Sequence, residues 1–199
     1  MKDKIINPFK YVAGVTSFIT GIIIISATAI TGYFSKTHFP DIISVKTCPG
    51  FSIWYFFLQG FSNWIVLSLI LYLIAVIFSK SSVRAVDIFG TQAVARFPYL
   101  IASFIGFSDS INKFGQYILW TYMQNGAPVD LSAPDVVIAI ILMVLTLALT
   151  IWLVILMFNA FRVSANIKGS KSIVLFIVAF ISSIVITHYI SNFLIFKFS

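Results

Sequence analysis

Apolar residues in this chain fall into five long runs, separated by charged stretches or stretches with proline and glycine. The runs cover residues 11–33, 54–78, 85–107, 136–158 and 173–196. A helix needs about 20 apolar residues to cross a bilayer, so the pattern predicts five spanning helices in one membrane domain over residues 1–199. The second run opens on the aromatic cluster Trp54, Tyr55, Phe56 and Phe57. The third is the least apolar, because it carries Asp87, Arg96 and Pro98. Pro40, Pro49 and Gly50 mark the first connection, and residues 79–82 form a short second turn. The third connection, 108–135, is the longest and ends in Pro134-Asp135, a helix-start signal. Within it, residues 114–123 are apolar and aromatic but too few to span, so they lie in the interface or dip in as a re-entrant piece. The fourth connection, 159–172, is basic and contains Gly169.

Composition removes a soluble alternative. Hydrophobic residues make up 60% of the chain and charged residues 10%, against about 45–50% and about 25% in soluble domains. Glutamate is absent and all six acids are aspartates. The expected fold class is therefore all-α, a polytopic transmembrane helical bundle. The net charge is +7. That charge does not imply nucleic acid, because the cations sit at the ends of apolar runs rather than on one face of a periodic segment. Anionic lipid headgroups are their expected partners.

Cation placement sets the orientation. With the N-terminus inside, Lys2, Lys4, Lys10, Lys80, Arg84, Arg162, Lys168 and Lys171 are cytoplasmic, eight in all. Lys36, Lys46, Lys113 and Lys197, four in all, lie outside with Asp41, Asp109, Asp130 and Asp135. This predicts a cytoplasmic N-terminus and an external C-terminus. The first run is longer than a signal-peptide core, so it reads as an uncleaved anchor.

Candidate chemistry centres on Arg96, about eleven residues from either end of its run and so about 16 Å along a helix from either end. A lipid-facing charge there costs at least ~2.5–3.5 kcal/mol, so the side chain is expected to face protein or a water-filled cavity. Pro98 lacks the N–H that would bond the carbonyl of Val94, so a kink and a polar spot are expected together. Two readings follow: a binding site or hydrophilic cavity, or a structural arginine clamping helix-end carbonyls. Asp87 follows Arg84 by three residues, a spacing that fits a local ion pair or a helix-start cap. It is placed at the cytoplasmic mouth of the polar spot. Asp87 and Arg96, nine positions apart, fall on opposite helix faces unless the helix breaks near Gly90-Thr91.

His188 in the last run fits a proton relay or a satisfied structural residue. Beside it Ser183, Thr187 and Ser191 form a stripe spaced by four, as do Ala13, Ser17 and Gly21 in the first run. Both stripes predict close helix contact. The single cysteine, Cys48, excludes an internal disulfide, and only His38 lies near it in sequence. The scattered outer aspartates are a poor divalent-cation set. Lys168-Gly169-Ser170 lacks the upstream glycine and strand of a phosphate loop. Without glutamate there is no His-Glu-x-x-His metal pair, and no Gly-x-Ser-Gly nucleophile turn occurs. No cofactor, metal or catalytic set is expected.

The stretch Asp87-Ile88-Phe89-Gly90-Thr91-Gln92-Ala93-Val94-Ala95-Arg96-Phe97-Pro98 resembles the signature of the Yip family, the Ypt/Rab-interacting polytopic membrane proteins, in its bacterial branch. Asn7-Pro8-Phe9 and the basic turn 161–171 are similar to that branch as well. The eukaryotic motif Asp-Leu-Tyr-Gly-Pro is met loosely by Asp87-Ile88-Phe89-Gly90, with Thr91 in place of the proline. The resemblance implies five transmembrane helices, a cytosolic N-terminus and a bacterial cytoplasmic (inner) membrane. It brings no established activity for the bacterial members. Only about ten residues precede the first run, whereas eukaryotic members carry a longer cytosolic region for their Rab partners.

The expected function is a non-enzymatic integral membrane protein acting in membrane organisation, trafficking-like or transport-supporting roles. Its expected contacts are the bilayer, a second copy of itself or another membrane protein. The alternative is a small transporter or permease subunit with a central polar cavity around Arg96. A lipid-acting enzyme ranks third. The candidate intramembrane site comprises Asp87, Gly90, Arg96, Pro98 and His188.

Overall fold

Long runs of isoleucine, leucine, valine and phenylalanine leave the backbone one way to satisfy its polar groups within a single segment in hydrocarbon, the α-helix. The computed structural model describes residues 5–47 and 50–198; Lys2, Lys4, Cys48 and Pro49 lie outside the described residues. Its helices are α1 (Gly14–Ser35), α2 (Ile53–Phe78), α3 (Ala85–Val94), α4 (Phe97–Ala102), α5 (Asp109–Met123), α6 (Ala133–Ser164) and α7 (Ser170–Phe198). Five segments are long and apolar enough to cross a membrane: α1, α2, the broken segment Ala85–Phe107, α6 and α7. The molecule is an all-α polytopic bundle with the five spans the apolar runs predict.

Side-chain placement inverts that of a soluble bundle. The buried positions of α1 are Ser17, Gly21, Ile25, Thr28, Ala29, Gly32 and Ser35, while Val15, Ile19, Ile23 and Ile30 are exposed. In α6, Val137, Ile141, Val144 and Leu147 point outward. Apolar faces of this extent are not tolerated in water; in lipid they are the solvent-facing surface, and small residues mark the helix contacts.

The third span is the hub. In its most apolar window 61% is buried, against 17% to 33% in the other four. That burial explains its low hydropathy, since a segment wrapped in protein has less need of lipid-soluble side chains. It packs on α1 at closest range and also on α2 and α6, while α2 carries α7 on another side. Trp64 donates to the carbonyl of Phe89 at 2.8 Å, Gln92 to that of Met157 at 2.9 Å, and Thr91 shares a hydrogen bond with Ser164 at 2.9 Å. The core between these helices holds Leu67, Leu71, Ile88, Leu153, Met157 and Phe161.

The predicted kink is present. α3 ends at Val94 and α4 starts at Phe97, with Pro98 in its first turn. Arg96 sits between them at φ −80°, ψ 0°, in the sparsely populated bridge region. The break falls at Ala95–Arg96, not at Gly90-Thr91.

Two connections hold more structure than breakers alone suggest. Thr37–His38 (β1) and Lys46–Thr47 (β2) pair antiparallel, and the segment between them turns inward. Phe39 and Ile42 are buried, with Phe39 stacked on Tyr99 at 4.4 Å between ring centroids. The Tyr99 hydroxyl donates to the Ile42 carbonyl at 2.8 Å. In the third connection, residues 114–123 belong to α5. Its start is tied to α6 through Asp135, which accepts from Ser110 at 2.9 Å and from Lys113 at 3.3 Å. Beyond its first turns α5 is mostly exposed.

Candidate functional site

Glutamine and asparagine are costly in a spanning helix unless they are bonded. On α2, Tyr55, Gln59 and Asn63 recur at intervals of four, so they lie on one face, and all three are buried. That face holds the inward loop. Asn63 Nδ2 donates to the carbonyls of Phe39 at 2.7 Å and Asp41 at 3.1 Å. The Phe39 N–H donates to Gln59 Oε1 at 2.9 Å. Gln59 Nε2 donates to the Tyr55 hydroxyl at 2.8 Å and to Ser191 of α7 at 2.9 Å. Asp41 shapes the loop itself by accepting at 2.8 Å from the N–H groups of both Ile43 and Ser44.

His38 closes this network, with Nδ1 3.0 Å from the Tyr55 hydroxyl. Gln59 Nε2, which donates to the phenol oxygen, also lies 3.3 Å from the same Nδ1. Burial, and secondarily the charge of Lys46, push the His38 pKa from 6.5 down to about 4, against a smaller upward pull from its hydrogen bond with Gln59. A depressed histidine pKa means the unfolded chain takes up a proton that the folded one refuses. Stability is thus full above pH 6.5 and falls as pH drops from 6.5 toward 4. Thermal unfolding in detergent at pH 7.5 and pH 4.5 should show a loss on the order of 2–3 kcal/mol. Most of that loss should vanish in His38→Gln, and an unchanged pH dependence in that variant would refute the assignment.

Arg96 lies beneath the same loop and is only 5% exposed. It borders a cavity of about 30 Å³ whose polar wall is Thr28 from α1, Gln59 and Asn63 from α2, Thr37 and Tyr99. Ile25, Ala29, Phe39, Phe56 and Gly60 complete the wall. Arg96 Nε and Nη2 are sealed from solvent and have no hydrogen-bond acceptor among the described residues. Thr37 Oγ1 and Asn63 Oδ1 are likewise buried and unpartnered. Each such group carries about 1–3 kcal/mol of uncompensated desolvation, more where it is charged.

The other expected site residues fall elsewhere. Asp87 does not reach the Arg96 cavity, so its place at the mouth of that site is corrected. It pairs with Arg84 at 3.7 Å and lines a separate cavity of about 430 Å³ with Phe9, Gly14 and Ser164. The physical reason is length: nine helical residues carry Asp87 to one end of the span, with Arg96 at its middle. Gly90 is a packing residue, since a Cβ there would press on the backbone of Phe18 and on Ser17. Pro98 is buried and sets the break that exposes Arg96 to the loop side. His188 is corrected out of the site as well. The stripe Ser183, Thr187 and Ser191 faces inward, which turns His188, one residue past Thr187, to the exposed side of α7.

Arg96 is thus joined by Gln59, Asn63 and Thr37, none of them singled out from the sequence. The signal was available for two of them: Gln59 and Asn63 are polar residues four apart inside an apolar run. Thr37 had none, because its position depends on how the loop folds. Among the described residues no three His, Cys, Asp or Glu side chains gather closely enough to hold a metal. Compared with protein-family models, with curated proteins and with solved structures, the chain matches nothing.

Proposed function

We propose that this chain is a non-enzymatic integral membrane protein of the Yip type, resident in a bacterial cytoplasmic membrane. It works through helix and lipid contacts in membrane organisation or in support of transport. The observation that carries the reading is the enclosure of Arg96: this cation, at the middle of the third span, is 5% exposed, beside a cavity of about 30 Å³. That volume holds about two water-sized groups, too little for a solute path. The residues of the Yip-like stretch support the reading by their roles. Ile88, Gly90, Thr91, Gln92 and Ala93 are buried, and they bind the hub to its neighbours. Phe9 of the Asn7-Pro8-Phe9 opening is buried in the core. Lys10, Lys80, Arg84, Arg162, Lys168 and Lys171 are all exposed. Lys171 reaches the Phe78 carbonyl at 3.4 Å, which draws the second and fourth connections to one end of the bundle. Anionic headgroups are the partners that suit this end.

The permease reading retains one supporting observation, the unpaired guanidinium on a polar cavity. Flux separates the two. In vesicles of mixed zwitterionic and anionic lipid, the reconstituted protein is expected to leave efflux of small ions and of a trapped neutral solute at the protein-free rate. A saturable flux that disappears in Arg96→Gln would establish the permease instead.

A further inference from the structure

Arg96 brings a full positive charge into the bundle and forms no ion pair among the described residues. The ion pairs among the described residues are Arg84 with Asp87 and Lys113 with Asp135. Asp41, in the loop above, spends its carboxylate on the Ile43 and Ser44 N–H groups and the Ser44 hydroxyl. Arg96 Nε and Nη2 and the Thr37 hydroxyl are buried and unpartnered, and both residues line the same cavity. Two residues with unused donors thus border one small space, and no ion pair among the described residues offsets the charge. Asn63 Oδ1 is an unpartnered acceptor on that wall, and it suits a water held beside a ligand.

We propose that this cavity binds a small monovalent anion, a halide or a carboxylate group, on the guanidinium of Arg96 with Thr37 as second donor. The chemistry follows from charge, shape and volume. A guanidinium takes a carboxylate through two parallel hydrogen bonds, and low dielectric strengthens the attraction. About 30 Å³ admits roughly two water-sized groups: the two oxygens of a carboxylate, or a halide and a water. A tetrahedral phosphate is too large. Two sources present this chemistry. One is a free anion. The other is the head of a fatty acid, its chain leaving past Ile25, Ala29 and Phe56 at Gly60, which has no side chain and is partly exposed.

The test is thermal unfolding of the full chain in a neutral detergent. Sodium chloride, sodium formate or oleate is titrated in, with sodium gluconate holding ionic strength constant, because gluconate's hydrated polyol chain neither fits the cavity nor suits an exit lined by Ile25, Ala29 and Phe56. The midpoint is expected to rise and saturate, by on the order of 5 °C at a hundredfold excess over Kd. Arg96→Gln should lose the shift. Arg96→Lys, which keeps the charge but not the paired donors, should weaken the apparent affinity about tenfold. A response to chloride or formate identifies a free anion; a response to oleate alone identifies a bilayer fatty acid. No response in the wild-type protein overturns the proposal, as does an undiminished shift in Arg96→Gln. Should Arg96→Gln not fold, an affinity unchanged in Arg96→Lys overturns it equally. Binding and vesicle flux are separate readouts, so this inference and the non-permease reading can fail independently.

Discussion

Gly21→Val is expected to prevent the bundle from folding, and Gly90→Val to do nearly the same. A Cβ on Gly21 would overlap the Ala93 side chain and the backbone of Ala93 and Val94. A Cβ on Gly90 would overlap Ser17 and the backbone of Phe18. These glycines face each other's helices, so α1 and α3 touch backbone to backbone at two successive levels. Overpacking typically costs about 1–3 kcal/mol when neighbouring side chains can shift. Here the obstruction is main chain inside two helices, so each substitution should reach or exceed the top of that range. The readout is the yield of monodisperse protein in detergent and its unfolding midpoint. Gly115→Ala is the control: nothing lies within 4 Å of a Cβ there, and alanine favours the helix by about 1 kcal/mol over glycine, so it should be neutral or slightly stabilising. A wild-type midpoint for Gly21→Val would show that α1 and α3 are farther apart than described.

The same contact shows how far the sequence could be read. Ala13, Ser17 and Gly21 were legible as a small-residue face because spacing alone carries that signal, and Ser17 and Gly21 do meet the third span. The five spans were legible for the same reason: length and apolarity answer directly to bilayer thickness. Pro98 announced the kink, since a missing N–H has a fixed consequence at the fourth residue before it. The partners of Arg96 were not legible. They come from α1, α2 and a connection distant in sequence, brought together by the inward turn of residues 39–42. That turn depends on Asp41 bonding its own loop and on Gln59 and Asn63 bonding loop carbonyls and N–H groups, a tertiary match no local pattern encodes. His188 misled for the converse reason. A titratable residue in an apolar run draws notice, yet the stripe beside it had already claimed the inward face.

Arg96→Met is expected to make the protein more stable, not less, in buffer whose only anion is gluconate. The reasoning follows from the unpaired guanidinium. A cation at the centre of a span costs at least ~2.5–3.5 kcal/mol, and it recovers that through partners; Nε and Nη2 have none among the described residues. Methionine is unbranched and flexible enough to fill the side-chain volume, and it removes the buried charge with its orphaned donors. Replacing buried charged groups with apolar ones of similar size is often neutral or stabilising by about 1–4 kcal/mol, and an unpaired charge belongs at the upper end of that range. At roughly 2–4 °C per kcal/mol for a chain of this size, the midpoint should rise by several degrees. Adding chloride or formate should then close the gap by stabilising only the wild-type protein, because methionine offers the anion nothing. A lower midpoint for Arg96→Met in gluconate would mean that the guanidinium holds the broken helix together through its carbonyls. A side chain that weakens the fold on its own and strengthens it only with an anion bound is retained for the anion.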